Sequence, residues 1–437
     1  IMSFKLVEGL NVVGEVISLV IIALQSIIAA AGGVGGGPVY STVLIAFGAS
    51  AHTAIPMSKT IIFSGSLVLM IINMSEKSKT QENRPAIMWD MVFFIENSTI
   101  MGAVAGSILN ALVPEWFLIV FGFCFFTFEG ITTTVKAVKA IKKDRAKFKG
   151  VKNVHIDDLI RAEQGKPTGL SLMTDVKPAS NDQPKEPVQM TETKLTGDQP
   201  VVEKPAEKVT KCSHWRYVNK LRMTVFIVGL FLSLLFTILR ATVKKCSPWY
   251  WGFVALTFVF GIIATIITNF SLHKSLSLHD GTALTGSTDD SMNSHKKLLK
   301  FTIIGFFIGV LAASMGIGGG IVQTPLMLSM GVPPFVTRLA SSTMITFTAF
   351  TSFVQYAVMG LLRFEEVWVF MLVVGVFFPI GYFLSNPVMK CVKSTSFISL
   401  AMGVGVLIAD TFIIYRAVHV IMDMAQTHIV PGINNIC

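Results

Sequence analysis

Apolar and polar positions fall in long blocks along this chain, without the short alternation of a soluble fold. Apolar runs occupy about 11–31, 54–74, 87–112, 116–135, 223–243, 249–270, 299–315, 336–360, 365–386 and 396–418. Most reach the ~20 residues that a helix needs to cross ~30 Å of hydrocarbon. Two further apolar stretches, about 38–48 and 321–331, are half that length. Each follows a glycine run: Gly33-Val34-Gly35-Gly36-Gly37 and Gly316-Ile317-Gly318-Gly319-Gly320. The echo continues at a constant offset of 283, which sets Val39 on Val322, Gly48 on Gly331, Ser58 on Ser341 and Thr60 on Thr343. Lone small residues let membrane helices pack closely, but glycine this dense breaks a helix. A break at membrane depth is tolerated only where protein buries it or it lines a cavity. The expected fold is an all-α polytopic membrane protein of two inverted repeats, each with a Gly-broken re-entrant helix hairpin, plus two extra spans between them.

The repeats take residues 1–142 and 299–437. Between them, 143–221 reads as a disordered basic cytosolic linker, 222–270 as the extra helix pair and 271–298 as a cytosolic loop. Composition agrees with the membrane reading: 52% of residues are hydrophobic and 14% charged, with a mean hydropathy of +0.64. The net charge of +10 does not mark a nucleic-acid binder. Residues 136–222 hold 19 Lys and Arg against 11 Asp and Glu, without interleaved aromatics and rich in Pro, Glu and Thr. The expected partners are the lipid bilayer and a small anionic substrate, with a homo-oligomer or a membrane assembly left open.

Lys and Arg near span ends put the linker inside, together with Lys77, Lys79, Arg84, Lys390 and Lys393, and both termini outside. Arg240, Lys244 and Lys245 fall on the outer face against this rule. No cleavable leader is expected. The cysteines at 124, 212, 246, 391 and 437 lack metal-ligand spacing. Cys246 and Cys437 share the non-cytosolic side, as a pair or as two free thiols.

Candidate chemistry centres on the breaks. Each half-segment starts directly after its glycines, so its first N–H groups lack intrahelical partners and its positive end faces the break. Gly35, Gly36, Gly37, Gly318, Gly319 and Gly320 are therefore the expected substrate-binding backbone, with Ser58, Thr60, Ser341 and Thr343 as hydroxyl donors. Ser41, Thr42, Gln323, Thr324 and Ser342 add polarity nearby. Glu15, Lys59, Glu96, Glu129, Arg338 and Asp410 lie inside apolar spans, where a charge is a functional candidate by default. Lys59 and Arg338 either meet the anion or snorkel to headgroups. Glu96 and Glu129 either relay protons or form a structural pair with Asn97, Ser98 or Thr132, and His52 reads as an exposed turn residue. No zinc-protease pair, P-loop or nucleophile elbow occurs, so neither an enzyme nor a cofactor is expected.

Residues 316–348, GIGGGIVQTPLMLSMGVPPFVTRLASSTMITFT, resemble the sulfite exporter TauE/SafE family: a Gly-rich break, a short segment ending in Gly, a Pro-Pro turn and a Ser/Thr-rich helix. Residues 33–60 match less closely, with Ala49–Ala51 where a Pro pair is common. The turn Cys246-Ser247-Pro248-Trp249-Tyr250-Trp251 is similar to one in the eukaryotic, plant/protist-type branch. The resemblance implies a permease for small sulfur-containing anions, such as sulfite or sulfonates. The alternatives are a non-transporting subunit of a larger membrane assembly, or a membrane enzyme or channel.

Overall fold

The computed structural model describes residues 7, 10–33, 35–76, 87–163, 219–245, 247–278, 295–330, 332, 334–392, 396–427 and 432. Among them every regular element is a helix: α1 (Val12–Gly32), α2 (Gly37–Ala46), α3 (Ala51–Asn73), α4 (Trp89–Leu112), α5 (Glu115–Glu163), α6 (Lys220–Thr242), α7 (Pro248–Leu278), α8 (His295–Met315), α9 (Gly320–Ser329), α10 (Pro334–Val358), α11 (Phe364–Val392) and α12 (Ser396–Thr427). Nine of the described helices (α1, α3–α8, α11 and α12) are long and apolar enough to span a membrane. α10 has the length but is loaded with hydroxyls. Thr337, Ser341, Ser342, Thr343, Thr346, Thr348, Thr351 and Ser352 are all buried, so it belongs inside the bundle.

Residues 1–142 and 211–437 form one unit and 143–210 a second. α5 runs on to Glu163, past the point at 143 where the linker is expected to begin. Loss of apolar character marks where a helix leaves lipid-compatible sequence; Lys, Arg, Ala and Asp still permit helix beyond it. The rest of the linker, the basic loop at 77–86, and Cys246 and Cys437 lie outside the described residues.

Burial grades inward. The most apolar window of α4 is 83% buried, whereas those of α6 and α7 are 22% buried and carry exposed Phe231, Trp249 and Phe270 toward lipid. Since lipid tails are as apolar as the helices, close packing and polar bonds must hold the bundle. α4 and α8 meet along Gly102 and Gly106 on one side and Gly305 and Gly309 on the other. A Cβ on Gly102 would overlap Phe306 O, and one on Gly309 would overlap Thr99 O. α1 and α11 meet similarly at Gly381, whose missing Cβ would fall 2.6 Å from Ile27 Cα. α3 packs on α10 and α11, and α10 also packs on α4.

Polar bonds attach the extra pair. Asn97 Nδ2 donates to Thr268 Oγ1 (3.0 Å), and Arg222 pairs with Asp90 (2.8 Å). Arg240 is buried and donates to Gln355 Oε1 (2.8 Å) beneath the Tyr250 ring. Its break with the positive-inside pattern is thereby explained: it bonds α6 to α10 and does not read the membrane surface.

Candidate functional site

The chain bends out of helix at both glycine runs. Gly33 closes α1 with φ 68° and its N–H bonds back to Ala30 O. Gly36 precedes α2 with φ 67°, and Gly319 precedes α9 with φ 71°. Only residues without a Cβ enter this left-handed region readily. The half-segments expected at 38–48 and 321–331 are the helices Gly37–Ala46 and Gly320–Ser329.

The two breaks touch. A Cβ on Gly37 would lie 2.6 Å from both Gly316 O and Gly318 N, and one on Gly35 would lie 3.5 Å from Gly318 Cα. Gly35, Gly36, Gly37, Gly318, Gly319 and Gly320 are all buried. Ser58 Oγ is within donating distance of Gly316 O (3.0 Å) and Gly37 O (3.2 Å), so one hydroxyl clips the two breaks together.

The positive ends are unequal. Pro38, second in α2, carries no N–H, and the amides of Val39 and Tyr40 bond back to Gly36 O (3.2 and 3.3 Å). Gly37 alone supplies a first-turn donor there. In α9 the amides of Val322 and Gln323 bond to Gly319 O (3.1 and 3.0 Å), and both Gly320 and Ile321 stand ahead of them. The first half therefore offers fewer N–H groups than its glycines alone imply.

Ser341 lies at the second break, its Oγ 3.0 Å from the Cβ position of Gly320, and it accepts from Thr324 Oγ1 (3.2 Å). Thr60 and Thr343 are buried, but each donates to its own helix, to Pro56 O and Leu339 O (both 2.9 Å). That back-bonding is a common local alternative for a mid-helix threonine. Tyr40 and Gln323 are fully buried beside the breaks, and Tyr40 Oη and both amide atoms of Gln323 lack hydrogen-bond partners among the described residues.

Lys59 is fully buried and its Nζ has no partner among the described residues, so it does not snorkel. Glu96 on α4 is the acidic charge that acts on it. One Glu96 oxygen accepts from Thr348 Oγ1 (2.6 Å); the other is unpartnered among the described residues. Glu129 accepts from Thr133 (2.9 Å), and Asn97 and Ser98 bond elsewhere, so the partners of the two glutamates differ from the expected Asn97, Ser98 or Thr132. Arg338 lies over the Tyr382 ring, and Tyr382 donates to Glu76 (2.8 Å). Asp410 accepts from Thr127, again 283 positions away. His52 is half-buried in the first turn of α3 against Asn110 and Glu115, not exposed. A separate cavity of about 200 Å³ is lined by Arg240, Lys245, Tyr250 and Met359. Among the described residues no cluster of His, Cys, Asp and Glu is arranged to hold a metal.

Comparison with known proteins places the second break inside a matched region: the family described as Sulfite exporter TauE/SafE matches residues 210–409. The chain is similar to Sulfite exporter TauE/SafE family protein 5 of Arabidopsis thaliana, with 25% identity over 79% of this chain and 70% of that protein. Family protein 1 of the same plant is 22% identical over 89% of this chain and 80% of its own length. Family protein 6 is 31% identical over 37% of each. No solved structure matches the chain.

Proposed function

We propose that this multi-pass integral membrane protein, which is similar to the sulfite exporter TauE/SafE family over residues 210–409, carries small sulfur-containing anions, sulfite or sulfonates, by alternating access. One observation carries the reading. A glycine break from each half meets its counterpart in a buried contact, and a short helix starts from each. Helix N-termini bind oxyanions through backbone N–H groups and about +0.5 of an elementary charge. Partial charges hold an ion that must also leave.

The packing supports an inverted repeat. Exchanging the halves turns the α1–α11 contact into α8–α4, and the α3–α11 contact into α10–α4. Equivalent residues also touch, Gly35 with Gly318 and Thr127 with Asp410, as residues beside a two-fold axis do. In this reading the linker is cytosolic and both termini are not. Cysteines introduced near the N-terminus and at position 150 are expected to react with an impermeant reagent from opposite sides. Labelling of both from one side removes the topology.

Transport itself is tested by uptake into proteoliposomes with sulfite, sulfate, taurine and other sulfonates. Sulfite or sulfonate uptake is expected, and Ser341→Ala should weaken apparent affinity by ~1 kcal/mol, the scale of one hydrogen bond. A wild-type chain that moves no member of the panel would favour the non-transporting subunit.

A further inference from the structure

We propose that Tyr40 and Gln323 are the side chains that contact the transported anion, and that they select an anion carrying its own hydrogen-bond donor. The inference rests on the transport reading above but makes a separate claim about recognition.

The two residues are counterparts: the offset of 283 that aligns the glycine runs sets Tyr40 on Gln323. Each is the fourth residue after its cap glycine, Gly36 or Gly319. Helical side chains lean toward the N-terminus, so both polar tips lie back over the breaks. Tyr40 Oη is 2.7 Å from where a Cβ of Gly36 would stand, and Gln323 Nε2 is 3.7 Å from that of Gly319. Both side chains are 0% exposed. Tyr40 Oη, Gln323 Oε1 and Gln323 Nε2 all lack partners among the described residues. A buried polar group without a partner is destabilising and rare. Phe at 40 or Leu at 323 would fill such space without that penalty. Two orphaned groups at equivalent places, each beside its own break, are accounted for by a ligand that completes their bonds.

The complement of atoms defines the ligand class. Tyr40 offers an O–H donor, and Gln323 offers N–H donors together with one carbonyl acceptor. An oxyanion accepts from the donors. The acceptor, Gln323 Oε1, remains unpaired unless the ligand also brings an O–H or N–H. Sulfite in its hydrogen form and hydroxy- or amino-sulfonates do so; sulfate and alkyl sulfonates do not. A site built to bond a donor rejects the analogue that lacks it, because its own buried group is then left unmatched.

The test uses the full-length chain in detergent and a matched pair of probes, hydroxyethanesulfonate and propanesulfonate, which differ by a hydroxyl against a methyl group. Thermal stabilisation is titrated with each. The wild type is expected to bind the hydroxy compound about tenfold more tightly, the scale of one well-made bond to a charged ligand. Tyr40→Phe should weaken both probes about tenfold, while the ligand-free melting temperature holds or rises because an orphan hydroxyl has gone. Gln323→Leu should erase the preference between probes. Wild-type affinities and preference in both variants overturn the proposal, as does failure of hydroxyethanesulfonate to stabilise the wild type. A lower ligand-free melting temperature in both variants with unchanged affinity also overturns it, by making the residues structural. Binding of the expected pattern without uptake supports the site and removes transport; uptake with wild-type kinetics in both variants does the reverse.

Discussion

A Gly37→Val chain inserts normally and takes up no sulfite: that is the expected outcome with the largest effect. The Cβ would lie 2.6 Å from Gly316 O and Gly318 N, both backbone atoms of the opposite break, so nothing flexible can yield. Overpacking of this kind costs ~1–3 kcal/mol even in forgiving cores. Here it acts on the contact at the proposed site, and uptake should fall by ~100-fold or more. Gly36→Val adds left-handed strain at φ 67° and a collision with the Tyr40 ring at 2.7 Å. Gly319→Val has more room, its nearest neighbour being Ala312 Cβ at 3.6 Å, so strain at φ 71° dominates and a milder loss is expected. Uptake measured beside surface labelling separates lost transport from lost insertion. Wild-type uptake in the Gly37 and Gly319 variants together would discard the site.

The second large effect concerns Lys59 and Glu96, two fully buried ionisable groups on the consecutive helices α3 and α4 without a hydrogen bond between them. Removing either one changes the surroundings of a buried ionisable group, and a core change of this kind typically costs ~0.5–3 kcal/mol. Lys59→Met and Glu96→Gln should each lower the melting temperature, and the double variant should recover most of the loss. Uptake should not return with it if the buried Lys59 amine also contacts the anion. If Glu96 relays protons, Glu96→Gln also removes the response of uptake to a pH gradient. An unchanged response in both Glu96→Gln and Glu129→Gln takes the two carboxylates out of the mechanism.

The breaks were legible because glycine density overrides an apolar context, and their ends matched the half-segments to within a residue or two. Long-range partners were not legible. Thr348, which bonds Glu96, lies 252 residues away, and local reading offered Asn97, Ser98 or Thr132 instead. Arg240 reads locally as a misplaced surface charge, yet its guanidinium donates to Gln355 Oε1 inside the bundle. Hydroxyls misled in another way: Ser58, Thr60 and Thr343 sit where expected, yet their donors are committed to carbonyls. Tyr40 lies in an apolar stretch where no neighbour in sequence sets it apart. The signal that finds it was available, since the offset of 283 pairs it with a glutamine, an unusual exchange in a buried helix.

The glycine seams bear on which parts of the protein can move. With backbone set directly on backbone at Gly102 and Gly309, α4 and α8 have no layer of side chains between them to slide on. They are expected to turn as one lever, and α1 with α11 as another through Gly381 and Ile27. Each lever takes one helix from either half of the sequence. If the proposed cycle opens the meeting point of the breaks first to one side and then to the other, it is therefore not expected to rock the first half against the second. It is expected to pivot two mixed levers about the glycines at 33, 35 and 36 and at 316 and 319, and cross-linking α4 to α8 should leave that pivot free, whereas cross-linking α1 to α8 should lock it.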